Sequence, residues 1–91
     1  MVPEYHEDVE RTVRATLVDV LGLDPERVKD FHEETGLFGS LPELDSMAVA
    51  GLLTEIEDRL GIIIEDDEVD SDMLSTFGAL VTFLDRKVQQ G

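Results

Sequence analysis

Ninety-one residues with 22 acidic and 7 basic side chains, a formal charge of −15 and no cysteine suit one small helical domain, because so short a chain leaves much of its surface in water. The charge opposes nucleic-acid phosphates and anionic membrane surfaces and favours partners with basic patches. The missing cysteines exclude a disulfide framework and cysteine-ligated zinc, so any thiol chemistry must use an imported thiol.

From about Tyr5 to Leu21, Val9, Val13, Leu17 and Leu21 recur at steps of four, the stripe of an amphipathic helix. Gly22 suits its stop, and Asp24-Pro25-Glu26 reads as an N-cap with proline at the first helical position, opening one short turn. Periodicity fades from Phe31 to Leu44, where Gly36, Gly39, Ser40 and Pro42 form a long loop. Phe31, Leu37, Phe38 and Leu41 are expected to pin that loop to a core.

Ser46 to about Leu60 is predicted to be a helix with Met47, Ala50, Leu53, Ile56 and Leu60 inward, Glu55, Glu57 and Asp58 in water, and Gly61 as its stop. Ile62-Ile63-Ile64 has strand propensity but no partner strand elsewhere in the chain, so a strand is rejected. A short helix is expected from Asp66 to about Asp70, its acids complementing the dipole. The last helix should start near Thr76, with Phe77, Leu80, Val81, Leu84 and Val88 inward and Arg86 and Lys87 near its end. Neither a repeat nor a second domain is visible. One domain is expected over 1–91, with a core over about 5–88.

Glu43-Leu44-Asp45-Ser46-Met47 places a serine behind an aspartate at the threshold of the second long helix. Such a pair is also what an ordinary helix N-cap looks like. The chain has only His6 and His32, and no base lies near Ser46 in sequence, so a serine nucleophile activated from within is hard to build and an enzyme is not expected. A serine that receives a group from another enzyme needs only exposure, a fixed backbone and a surface to grip. The histidines are read as surface residues, since no metal-ligand spacing accompanies them. Asp66 to Phe77 fails as a calcium loop, because Ser71 stands where glycine is wanted and Phe77 where glutamate is wanted. Met47 and Met73 are read as core or pocket-rim filling.

The chain resembles the acyl carrier proteins, whose Asp-Ser-Leu signature opens the second helix of a small acidic bundle and here reads Asp45-Ser46-Met47. The resemblance runs from the first helix to Val88 and includes Leu60-Gly61-Ile62, the run Glu65-Asp66-Asp67-Glu68 and the Ser75-Thr76-Phe77 entry to the last helix. It implies an all-α, four-helix acyl-carrier-like bundle with a long loop between the first two helices and a short third helix. It also implies that Ser46 carries 4′-phosphopantetheine donated from coenzyme A by a phosphopantetheinyl transferase, with Asp45 and Met47 as recognition residues. The arm would supply the thiol that the chain lacks.

Between Glu43 and Asp72, eleven acidic residues face one basic one, Arg59, at a cost in like-charge repulsion. The resemblance makes this a docking surface for basic patches on the transferase and on acyl-activating and acyl-transferring enzymes, with Glu57 and Asp58 foremost. It also places an acyl pocket among Val49, Leu53, Ile56, Ile64, Val69 and Leu74, residues that would otherwise be plain core. Ala48 and Gly51 stand where carriers for fatty-acid synthesis are often acidic, which points to a dedicated pathway. Leu41-Pro42-Glu43-Leu44-Asp45-Ser46-Met47 is similar to carriers that accompany exosortase and exopolysaccharide systems.

Two rivals are an unmodified acidic helical interaction module and a peptidyl or aryl carrier. Glu43-Leu44 in place of the Gly-Gly usual in peptidyl carriers speaks against the latter. The expected protein is a cytoplasmic monomer with no bound metal, no nucleic-acid partner and no membrane span, since no apolar run nears roughly 20 residues and the first thirty residues lack a basic start and apolar block.

Overall fold

The four-residue apolar steps of the first helix are borne out in a computed structural model that describes residues 4–90, with side chains from Glu7 onward. Helix α1 spans Glu4–Leu21 and buries Val9, Val13 and Leu17 completely. Gly22 ends it in the left-handed region at φ 69°, donating its N–H to the Val18 carbonyl at 3.0 Å. Asp24 then caps the short helix α2, Pro25–Lys29, by accepting from the Glu26 N–H at 2.9 Å. Val28 is the residue that this turn buries.

The Arg14 guanidinium ties α1 to α2 and to the start of the long loop. It donates to the carbonyls of Val28 and Phe31, pairs with Glu10 at 2.8 Å and stacks 4.6 Å over the Phe77 ring, where a cation meets the negative face of the π system. Phe31 meets the same ring edge-on at 6.1 Å.

The long loop is as well anchored as a helix. Phe31, Leu37, Leu41 and Leu44 are buried, whereas Phe38 is 37% exposed, so it does not serve as the pin expected of it. Backbone pairing holds the rest: Leu37 donates to the Ser75 carbonyl and Phe38 to that of Leu74, each at 2.9 Å, while Phe77 and Gly78 donate to the carbonyls of Thr35 and Glu33 at 2.8 and 2.9 Å. The last two satisfy N–H groups that the first turn of a helix cannot pair internally. So close an approach requires glycine at 78, where a Cβ would lie 2.8 Å from the Glu33 oxygen. Helix α4 consequently spans Phe77–Gln90, with Thr76 Oγ1 accepting from the Ala79 N–H, and buries Phe77, Leu80, Val81 and Leu84.

Helix α3 spans Ser46–Leu60 and packs against α1. Its buried face is Leu52, Leu53 and Ile56. The face expected from the sequence is therefore rotated: Ala50 is exposed and Met47 is 86% exposed, so Met47 is not core. With spacings of three and four both available, the sequence offers two overlapping stripes, and docking on α1 selects the one containing Leu52. Arg59 fixes that docking from outside, pairing with Asp19 of α1 at 2.7 Å and with Glu55 at 3.2 Å. Gly61 closes the helix at φ 65°.

No strand forms among the described residues; the single isolated bridge joins Gly36 to Thr76. Ile62 and Ile64 are half-buried and Ile63 exposed, in a segment that has no partner strand among the described residues and is held instead by N–H groups of Ile62 and Ile64 donating to Glu57. The expected short helix over 66–70 shrinks to one 3-10 turn, Asp66–Glu68, followed by extended Val69. Its competitor is visible: the Asp70 carboxylate accepts from the Met73 N–H at 2.8 Å, so the backbone turns at a point where helix would have continued.

Candidate functional site

The loop and α3 together set one hydroxyl at the surface. Asp45 is extended (φ −91°, ψ −178°) and accepts from the Ala48 N–H at 2.8 Å, so Asp45 is the N-cap and Ser46 the first helical residue. Ser46 is exposed, and its Oγ makes no hydrogen bond to any described residue. The N–H groups of Ser46 and Met47 belong to the helix's unpaired first turn, where the dipole presents partial positive charge. A phosphate ester on Oγ fits this donor set. The Asp45 carboxylate, which uses Oδ1 for the cap and keeps its second oxygen at the surface, stands next to it as a like charge.

The approach to the serine is fixed from behind by Leu44, buried at 2% exposure, and by Arg27 of α2, which reaches Glu43 at 3.3 Å. Met47 projects beside Ser46 into solvent. Exposed positions on the first turns of α3 after Ser46 are Met47, Ala50, Gly51 and Thr54, all uncharged; acid returns only with Glu55 and Glu57, both half-buried, and with Asp58, exposed.

A shallow groove of ≈ 260 Å³ opens beside Ser46 and is lined by Phe38, Val49, Val69, Asp70, Ser71 and Leu74. Of the six residues expected to surround an acyl chain, Val49, Val69 and Leu74 meet there. Leu53 and Ile56 are buried in the core, Ile64 is half-buried, and none of these three lines the groove. Phe38, Asp70 and Ser71 were not anticipated from sequence. The available signal for Phe38 was an aromatic residue directly before a glycine in the loop leading to the serine.

Glu57 and Asp58 differ more than their adjacency suggests. Asp58 is exposed. Glu57 is half-buried and its carboxylate accepts from the Ile64 N–H at 2.7 Å, so it fastens the chain after α3 and is not merely a charge in water. Glu68, in the 3-10 turn, accepts from Lys87 Nζ at 2.9 Å and from the Glu65 N–H. Hydrogen bonding to Lys87, then to the Glu65 N–H, holds the Glu68 carboxyl below its ordinary range. The Arg59 guanidinium is held above its ordinary value chiefly by its hydrogen bond to Asp19, then by that to Glu55.

Among the described residues no cluster of histidine and acidic side chains is disposed to hold a metal ion. His32 is exposed, its Nδ1 accepting from the Glu34 N–H at 3.2 Å; the side chain of His6 lies outside the described residues. No helix among the described residues is long and apolar enough to cross a membrane.

The family model for the phosphopantetheine attachment site matches residues 11–84. The solution structure of a holo acyl carrier protein from Nitrosomonas europaea is similar over 89% of this chain and 95% of that one, with 37% identity and a TM-score of 0.79. No curated protein matches the chain.

Proposed function

The chain belongs to the phosphopantetheine attachment site family, and from that premise we propose that Ser46 Oγ is the atom that receives the arm. The protein is an acyl carrier and not an enzyme, and its cofactor is 4′-phosphopantetheine held covalently. When bound, the arm supplies the thiol on which acyl groups are carried as thioesters. The observation behind Ser46 is its exposed, unengaged Oγ at the first position of α3.

Each neighbour of Ser46 has a separate task. Asp45 caps the helix and fixes the serine backbone, while its outward carboxylate offers the transferase a recognition contact. Leu44 buries the approach, and Met47 gives partners an apolar handle next to the modified residue. The groove rimmed by Val49, Val69 and Leu74 receives the first part of a short acyl chain; Leu53, Ile56 and Ile64 lie behind that wall and would be reached only by a chain that parts it. Basic patches on the transferase and on acyl-activating and acyl-transferring enzymes approach the acidic end of α3, with Asp58 as the free charge and Glu57 contributing part of its own.

The uncharged first turns of α3 favour a dedicated pathway over general fatty-acid synthesis, because a partner that expects carboxylates at positions 48 and 51 would find Ala48 and Gly51. A cytoplasmic setting follows from the need for coenzyme A and the transferase. Intact mass after incubation with coenzyme A and a broad-specificity transferase is the test. Wild type should gain one phosphopantetheine unit and Ser46→Ala none. A Ser46→Ala protein modified as fully as wild type would move the site elsewhere, and an unmodifiable wild type would leave an acidic interaction module.

A further inference from the structure

On another side of the molecule, α4 and two loop tips enclose a second groove of ≈ 710 Å³. Between the charged residues, buried Met73 and half-buried Ala79 and Phe83 supply an apolar strip, flanked by Thr76, Gly78 and Thr82. Glu33 and Glu34 stand on one rim and Asp70 and Asp72 on the other, opposed by the single cation Arg86. No ion pair among the described residues engages any of these four carboxylates.

The rims are preformed. Gly78 lets the Glu33 backbone approach so closely that a Cβ would lie 2.9 Å from the Glu33 Cα, and the Gly78 N–H donates to the Glu33 carbonyl at 2.9 Å. Across the groove, the Met73 N–H holds the Asp70 carboxylate at 2.8 Å. A surface that keeps four like charges around apolar atoms on a rigid frame is matched by the opposite arrangement. Long basic side chains supply it, since their stems cover apolar surface while their charged heads stay in water.

We propose that this groove docks a segment of a partner enzyme that presents lysine or arginine beside an apolar side chain. The proposal rests on the carrier reading, because it deepens what a partner does there. Asp70 rims both this groove and the one beside Ser46, and Leu74 and Val69 of the same connection wall the Ser46 groove. An occupant on the α4 side therefore grips the outer face of the segment whose inner face would shelter the acyl chain. Docking there fixes or shifts that wall without touching α3, giving the carrier two grips of different character: one at the uncharged, Met47-bearing start of α3 and one at the acid-rimmed groove.

The probe is a six-residue peptide alternating lysine and leucine, titrated into isotope-labelled holo-protein and followed by amide chemical shifts, with the lysine–serine peptide of equal charge as its control. Shifts should concentrate at Glu33, Glu34, Ala79, Thr82 and Phe83, and the leucine peptide should bind roughly tenfold tighter than the serine one, as burial of apolar side chains on a strip of this kind requires. The triple variant Glu33→Gln, Glu34→Gln, Asp72→Asn, which leaves the Asp70 turn intact, should weaken binding several-fold and flatten its salt dependence. Equal affinity for the two peptides, or shifts centred on α3 and Asp66–Glu68, would overturn the proposal. Loading of Ser46, read by intact mass in wild type and in the triple variant, reports on the carrier reading separately and should be unchanged between them.

Discussion

Changing Glu57 to lysine removes an acceptor that the fold uses. Its carboxylate receives the Ile64 N–H at 2.7 Å, and a hydrogen bond to a charged group contributes about 1.5–3 kcal/mol net. Glu57 is only half-buried, and water can replace part of the bond, so about 1–2 kcal/mol is the reasoned loss. Lysine adds a second term, because it sets one donor against another. Against these stands the relief of like-charge repulsion, which Asp58→Lys shares in equal measure. The difference between the two single variants therefore reports the lost hydrogen bond together with the donor–donor clash that replaces it. For a domain of this size about 1 kcal/mol corresponds to roughly 4–8 °C, so Glu57→Lys should melt about 5–10 °C below Asp58→Lys, which should stay near wild type. Glu57→Gln, retaining a neutral acceptor, should fall between them. Thermal unfolding by circular dichroism, together with hydrogen exchange at the Ile64 amide, measures the effect. Equal melting temperatures for the two lysine variants would mean that the Ile64–Glu57 hydrogen bond adds nothing to stability. Asp58 is accordingly the position at which to test docking: Asp58→Lys should slow association with the transferase and flatten its salt dependence.

Asp45→Ala should cost about 1 kcal/mol in urea unfolding through loss of the α3 cap, whereas Asp45→Ser should cost little; if Asp45→Ser also keeps full loading of Ser46, the carboxylate has no recognition role. Lys87 and the Glu65 N–H lower the Glu68 pKa in the fold, so the pair's contribution is present above the unfolded carboxyl value of about 4.3 and fades as pH falls through the lower folded value. The stability gap between wild type and Glu68→Gln should thus be level from near neutrality to about pH 5.5 and narrow as pH falls below the unfolded value of about 4.3; a gap that does not narrow on acidification would contradict it. Because a charge of −15 repels itself, the melting temperature should rise from low salt to about 0.15 M, and a flat curve would count against a fold strained by its acids.

Sequence alone determined the features that depend on neighbours along the chain. Four-residue apolar steps set the buried face of α1, Asp24-Pro25 the start of α2, Gly61 the end of α3, and Asp45-Ser46 a capped serine whose family signature can be read in three residues. Each is a local conformational preference with little competition. What tertiary structure decided were the choices among locally equivalent options. On α3 two overlapping stripes were available, and packing against α1 took Leu52 inward and left Met47 in water. The acids were indistinguishable as a charge run until folding brought Ile64 to Glu57 and Lys87 to Glu68, leaving Asp58 free. The expected third helix gave way to a single turn because the Asp70 carboxylate found the Met73 N–H. The long loop carried no periodic signal at all, since its order comes from carbonyls of Glu33 and Thr35 meeting the unpaired N–H groups that open α4, a pairing between segments about forty residues apart that asks of the side chains only a glycine at 78 and that the assembled core selects.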